Sequence, residues 1–193
     1  MERVLIAGIS GAGKTTTAAR LAALLDLPRY ELDALHHGPG WTPRAEFRSE
    51  VEAFAATGRW VTEDQYTGKL GDLLRARADT CVWLDLPRRT VMQRVLRRSA
   101  ARALTRRELW NGNREGFRDW LDPEHPIRWA WARHAAHRRR TLERLAAHPG
   151  LTVVHLTSAR AARAWLRTVA RPAGSPGRPA APGTGQPGGA VKR

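Results

Sequence analysis

Along this chain, short continuous apolar runs take turns with longer stretches in which apolar residues recur every three or four positions. The run RVLIA near the start is rich in branched residues and shows no polar alternation, the pattern of a strand buried on both faces. After a glycine-rich stretch, KTTTAARLAALL sets Leu21, Leu24 and Leu25 on one side of a helix over 14–25 that stops short of Pro28. A second strand is predicted over 29–32, then a Gly- and Pro-rich loop, DALHHGPGWTP. Phe47, Val51 and Phe54 make an i, i+4, i+7 stripe that predicts a helix over 44–57. RWVTEDQY reads as a strand ending in carboxylates, 68–78 as a helix, and CVWLDLP as another buried strand. Beyond Pro87, Val91, Val95 and Leu96 define the apolar face of a helix whose other face is arginine. Periodicity fades over 100–125, which reads as a mobile basic flap. Pro126 opens a long helix, and the strand LTVVHL with a helix over 158–168 completes the pattern.

Strands alternating with helices predict a parallel sheet covered by helices on both faces, with ligands held at the carboxyl ends of the strands. Those ends bring together residues 8–15, Asp33, Glu63 with Asp64, and Asp85. No internal repeat is visible.

The segment between the first strand and helix, GISGAGKTTT, fits G-x-x-x-x-G-K-[ST] at Gly8, Gly13, Lys14 and Thr15. Glycines at 8, 11 and 13 let the backbone curl its N–H groups around a phosphate, where side chains would obstruct it. The cradle consists of Gly8, Ser10, Gly11, Ala12, Gly13, Lys14, Thr15 and Thr16, with Lys14 reaching the β- and γ-phosphates and the Thr15 hydroxyl ligating Mg²⁺. Lysine is rare in this arginine-biased chain, standing only at 14, 69 and 192. Strand, glycine loop and helix occur in the order such a site requires, so the fold expected is a three-layer α/β/α P-loop NTPase with about five parallel strands.

Composition refines this picture in three places. No apolar run reaches eighteen residues and the first twenty are strand and loop, so a soluble, cytoplasmic protein with no membrane partner is expected. Cys81, the single cysteine, lies in an apolar run and reads as a small buried hydrophobe. The formal charge of +15 makes nucleic acid an alternative partner, although an Arg-, Ala-, Gly- and Pro-rich composition yields the same charge without one. Residues 171–193 are dense in Pro and Gly with almost no apolar anchor, so a folded domain over 1–170 is expected to carry a disordered basic tail.

Phosphoryl transfer requires positioning and charge neutralisation more than covalent chemistry. Glu63 and Asp64 close an apolar strand where a carboxylate could serve Mg²⁺ or its waters, and either residue fits. Asp33, at the end of the second strand, could orient an acceptor or take its proton. Asp85, before Pro87, reads as a turn residue. His36 and His37 are adjacent and stand apart from any metal-ligand spacing, so they read as substrate-loop residues. Trp41, Trp110, Trp129 and Trp131 suit either base stacking or packing, and the face shared by Trp131, His134, Arg138 and Leu142 reads as packing or a cleft wall.

The segments GISGAGKTT, YELDALHHGPGW, RWVTEDQY, ADTCVWLDLPRR, ELWNGNRE and PIRWAWARH together resemble the P-loop kinase superfamily, specifically the adenylate-kinase-like proteins labelled DNA topology modulation proteins, over about residues 2–168. The resemblance implies an ATP- and Mg²⁺-dependent phosphotransferase with a short helical lid over about 98–125, acting on a small-molecule acceptor, nucleotide or nucleoside-like. It also implies that Arg94 and Arg98, following Pro87 at the spacing of adenylate-kinase lid-base arginines, neutralise nucleotide phosphates; the basic flap offers Arg102, Arg106, Arg107 or Arg114 as helpers when it closes. Relatives carry Asp-Gly-Asn-Tyr where this chain has Glu63, Asp64, Gln65 and Tyr66, and residues that would grip AMP have no counterpart in the lid. The alternative is a nucleotide-dependent regulatory ATPase or switch associated with nucleic acid.

Overall fold

In the computed structural model the described residues are 1–105 and 126–170, and the side chains of 102, 103 and 126–130 are outside that description. Five strands form one parallel sheet: β1 (Arg3–Ala7), β2 (Arg29–Tyr30), β3 (Trp60–Glu63), β4 (Thr80–Leu84) and β5 (Thr152–Leu156), in the order β2-β3-β1-β4-β5. The helices are α1 (Lys14–Leu25), α2 (Leu32–His36), α3 (Phe47–Ala55), α4 (Thr67–Leu70), α5 (Leu73–Arg77), α6 (Arg88–Thr105), α7 (Pro126–Ala146) and α8 (Ala159–Val169), with a 3-10 turn at Pro39–Trp41.

Strand alternation sorts the core into layers. Val4 and Ile6 of β1 face a core with Leu21 of α1, Val91 and Val95 of α6 and Leu166 of α8. Leu5 points the other way, toward Phe47, Val51 and Phe54 of α3 and Leu74 of α5. Ala7, Cys81 and Trp83 pack with Leu151. Helices therefore cover both sheet faces, the three-layer architecture of a P-loop NTPase. Continuous burial of β1, β3 and β4 explains why those strands read as uninterrupted apolar runs. Cys81 is wholly buried, and burial pushes its thiol pKa up to about 12, which keeps it an unreactive core residue.

Several elements differ from the sequence reading. β2 is only two residues long because the Glu31 carbonyl already accepts the Ala34 and Leu35 N–H groups, turning the chain into α2. Asp33 thus lies in the first turn of a short helix and not at a strand end. The predicted helix over 68–78 is two short helices separated at Gly71, whose φ of 58° ends the first. The apolar stripes were assigned too broadly: Leu21, Val91 and Val95 are wholly buried, whereas Leu24 and Leu96 are about two-fifths exposed (41% and 43%). Residues 100–105, read as the start of a flap, continue α6. The remainder of the expected lid, with Trp110, Arg106, Arg107 and Arg114, lies outside the described residues, as do the tail 171–193 and the side chains of Arg102 and Trp129.

Candidate active site

Because every strand is parallel, their carboxyl ends share one edge, and β1 lies between β3 and β4 where the connections diverge to opposite sides. Gly8 follows β1 directly into a tight loop in which Ala12 N–H donates to the Ile9 carbonyl at 3.0 Å. Gly11 has φ of 84°, and a Cβ there would stand 2.3 Å from Val95 Cγ2 and 3.0 Å from the Val91 carbonyl oxygen. The loop therefore lies flat against α6 only because residue 11 has no side chain. Gly13, at φ of 103°, leads into α1, whose first turn has neither a side-chain cap nor an acidic residue. Its amide donors and the positive end of its dipole make an arrangement that can seat an anion.

Two arginines brace this loop from α6. Arg94 Nη1 donates to the Ala12 carbonyl at 3.0 Å, and Arg98 Nη2 donates to Ser10 Oγ at 3.2 Å. Thr15 and Thr16 stand exposed in the first turn of α1, while Lys14 is buried beside them. Burial pushes the Lys14 ammonium below its usual pKa, and the charges of Glu63 and Asp33 act in the opposite sense. Lys14 is thus electrostatically between the two carboxylates, and phosphate oxygens in the loop would add to their stabilisation of its charge.

The adjacent carboxylates at the end of β3 face different partners. Glu63 is 5% exposed, shares a hydrogen bond with the Thr15 side chain, and accepts from Gln65 Nε2 at 3.1 Å. Burial raises its pKa, with Lys14 and Thr15 drawing it back down. Asp64 is held instead by a buried ion pair with Arg75 of α5, which also reaches Asp72 at 3.4 Å. Burial raises the Asp64 pKa against the opposing pull of Arg75. Glu63 and Thr15 together offer two oxygens to a cation; among the described residues no group of three or more His, Cys, Asp or Glu could hold a metal. That donor set fits Mg²⁺, which keeps much of its water and completes its shell with phosphate oxygens.

Asp33 accepts from the Tyr66 hydroxyl at 2.7 Å. The same hydroxyl lies 3.0 Å from His37 Nε2, His37 Nδ1 lies 3.4 Å from His36 Nδ1, and Lys69 Nζ lies 2.6 Å from His36 Nε2. His36 stacks on Tyr66 with ring centroids 4.3 Å apart, and Phe47 meets both rings edge-on. The two histidines, expected in the substrate loop, therefore act as one unit with a tyrosine and a lysine to which the sequence reading assigned no role. The rarity of lysine was the signal that could have singled out Lys69.

A cavity of about 240 Å³ opens against this edge, bounded by Gly8, Ser10, Lys14, Asp64 and Tyr66 on one side and by Arg133, His137, Arg140 and Arg144 of α7 on the other. Burial, followed by the charges of Lys14 and Arg144, pushes His137 down to about 4, so the wall carries arginine charge and a neutral imidazole. α7 is docked by the face singled out in the sequence. His134 Nε2 lies 3.0 Å from the Leu86 carbonyl oxygen, Arg138 Nε donates to Asp85 at 2.9 Å, and the Arg88 guanidinium lies 3.6 Å from the Trp131 ring centroid. Asp85 also meets His155 at 3.0 Å, so its role here is structural. Leu142 on this face is 43% exposed.

No family model matches the chain, and no curated protein does. Among solved structures it is similar to a shikimate kinase from Acinetobacter baumannii in complex with shikimate, at 18% identity and a TM-score of 0.49 over 88% of this chain and 90% of that one. A gluconokinase from Sinorhizobium meliloti matches at 17% identity and a TM-score of 0.45 over 88% and 93%. These likenesses are too distant to bring a substrate or a residue role to this chain. The likeness to the DNA topology modulation group rests on the quoted motifs alone.

Proposed function

We propose that this protein is an ATP- and Mg²⁺-dependent phosphotransferase acting on a small-molecule acceptor. The observation that carries the reading is the position of Lys14, buried at the end of the glycine loop and lining one cavity with Tyr66, whose hydroxyl donates to Asp33. One residue thereby links a donor side to an acceptor side within a single cleft.

The loop amides, the N-terminus of α1 and Lys14 would hold the donor phosphates, in a loop whose path along α6 depends on the missing Cβ at Gly11. Thr15 would bind Mg²⁺ directly, with Glu63, in preference to Asp64, ordering its waters; when bound, the ion would supply charge neutralisation to the donor phosphates. Glu63 is assigned this part because it reaches Thr15, whereas Asp64 is neutralised by Arg75. Arg94 and Arg98 hold the shape of the loop through Ala12 and Ser10 and would add positive charge around the transferring group. An acceptor oxygen would form its bond to the γ-phosphorus as the bond from that phosphorus to the β,γ-bridging oxygen breaks, its electron pair leaving on ADP. Where the acceptor is an alcohol, its proton passes to Asp33.

Phosphoryl transfer from Mg-ATP to pooled nucleoside monophosphates, nucleosides and hydroxylated metabolites tests the reading, with Lys14→Ala as control. Accelerated ADP release together with a new phosphorylated product is the expected result. ATP binding that depends on Lys14 without any phosphorylated product would replace this reading with the nucleotide-dependent switch, for which salt-sensitive nucleic-acid binding that responds to ATP is the corresponding test.

A further inference from the structure

The acceptor-side cluster has a direction. Lys69, as an ammonium, can only donate, so His36 Nε2 at 2.6 Å must accept and the His36 proton must sit on Nδ1. That N–H then faces His37 Nδ1 at 3.4 Å, the longest link, which accepts and sends the His37 proton to Nε2. His37 Nε2–H donates to the Tyr66 oxygen at 3.0 Å, leaving the Tyr66 O–H to donate to Asp33 Oδ1 at 2.7 Å. Starting from the other end gives the same answer. An ionised Asp33 can only accept, so Tyr66 must donate to it, and the tautomers of His37 and His36 follow in turn. Only a charged Lys69, two neutral histidines and an ionised Asp33 satisfy all four links in this direction.

We infer that Lys69, His36, His37 and Tyr66 form a directed hydrogen-bond chain that positions Asp33 as the proton acceptor for a hydroxyl-bearing substrate. The local structure is built to hold it. Tyr66 has φ of 54°, left-handed backbone that is strained for a residue with a side chain, and this conformation starts α4 while the hydroxyl reaches Asp33. His36 is 5% exposed, clamped between the Tyr66 ring and Phe47. Burial and the neighbouring Lys69 and His37 lower the His36 pKa, and burial with Asp33 raises that of Tyr66, so the imidazole stays neutral and the phenol stays protonated. Tyr66 engages Oδ1 of Asp33, and Oδ2 is the atom that would take the substrate proton. An alcohol must lose a proton as it attacks and gains from such a group, whereas a phosphate acceptor arrives already ionised and does not. The four residues are positioning residues, since each acts through Asp33. This inference rests on the phosphotransferase reading for its substrate class, and on the hydrogen bonds alone for the chain.

The test has two arms on the full chain. Long-range ¹⁵N–¹H NMR of the histidine rings at neutral pH should show His36 as the Nδ1–H tautomer and His37 as the Nε2–H tautomer, retained in Tyr66→Phe or Lys69→Met alone, where one end still sets the direction, and released into mixtures when both substitutions are combined. Either ring in the opposite tautomer, or protonated, overturns the chain. In the kinetic arm, sugars, polyols and nucleosides serve as alcohol probes against nucleoside monophosphates. Lys69→Met and Tyr66→Phe should each lower kcat for an alcohol about 10- to 100-fold, less than the roughly 10²–10⁴ attributed to a general base itself, with KM for Mg-ATP unchanged and Lys69→Arg restoring part of the rate. Transfer to a monophosphate with kcat indifferent to Tyr66→Phe overturns the substrate class. If no pool is phosphorylated, the phosphotransferase reading fails while the tautomers still decide whether the chain exists.

Discussion

The donor and acceptor sides of the cleft share Lys14 but are built by opposite means. The donor side is one unbroken stretch, 8–16, whose working groups are backbone amides and whose shape depends on what is missing, a Cβ at Gly11 and a cap on α1. The acceptor side is made of side chains from two separate segments: Asp33, His36 and His37 come from α2 and its end, Tyr66 and Lys69 from α4. A backbone site is written locally and fails when an atom is added. A side-chain site is written by the tertiary fold and fails when an atom is removed.

The largest expected effect tests the residue common to both sides. Lys14→Ala should lower phosphoryl transfer by about 10³-fold or more, equivalent to ~4 kcal/mol of transition-state stabilisation, while the far-ultraviolet circular dichroism stays folded. A folded variant that kept its rate would remove the link between the two sides. Next comes the pair of carboxylates at the end of β3. Arg75→Leu should lower unfolding free energy by about 3 kcal/mol in denaturant titration, because Asp64 is left charged and buried without its partner. Glu63→Gln should instead cost about 10²-fold in rate, ~2.7 kcal/mol, and weaken the Mg²⁺ dependence, with stability unchanged or raised. The sign follows from the raised Glu63 pKa: at neutral pH its charged form opposes folding, and the amide carries no such charge. Equal losses of stability in both variants would erase the distinction between a structural Asp64 and a working Glu63.

The same contrast explains what could be read from the sequence. The cradle and the strands β1, β3 and β4 were legible because contiguous glycines and uninterrupted apolar runs each encode one local conformation. Adjacent Glu63 and Asp64 point to different surroundings, as residues at a strand end do, yet only the placement of Arg75, eleven positions beyond Asp64, decides which is neutralised. Arg94 and Arg98 entered through family resemblance, and they do reach the loop, gripping Ala12 and Ser10 of the protein itself. Tyr66 carries no sequence pattern and Lys69 only its rarity, since their partners lie 33 positions away and meet them only once β2 and β3 pair. Asp33 was placed at a strand end because RYEL reads as extended; the turn at Glu31 that makes it helical is a backbone hydrogen-bond event without a side-chain signature.

The smallest effect concerns His137, which looks across the cavity at the donor side from α7. Its pKa falls from an ordinary 6.5 to about 4 in the folded protein, so between those values the unfolded chain binds a proton that the folded chain does not. Stability should therefore decline as pH falls from about 6.5 to about 4 and become level in this respect below that. The partly exposed ring limits the size of the effect to roughly 2 kcal/mol. Glu63 and Asp64, whose pKa values are raised, act in the opposite sense on acidification, so the difference between the wild-type protein and His137→Gln isolates the histidine. Thermal melts across this window should give a shallower acid decline for the variant. Saturating Mg-ATP should flatten the wild-type slope toward that of the variant, because phosphates beside Lys14 offset the positive charges that, after burial, hold the imidazole neutral. A slope indifferent to nucleotide would mean that the charge on the donor side does not reach α7, and the arginines there would then belong to the acceptor side of the cleft.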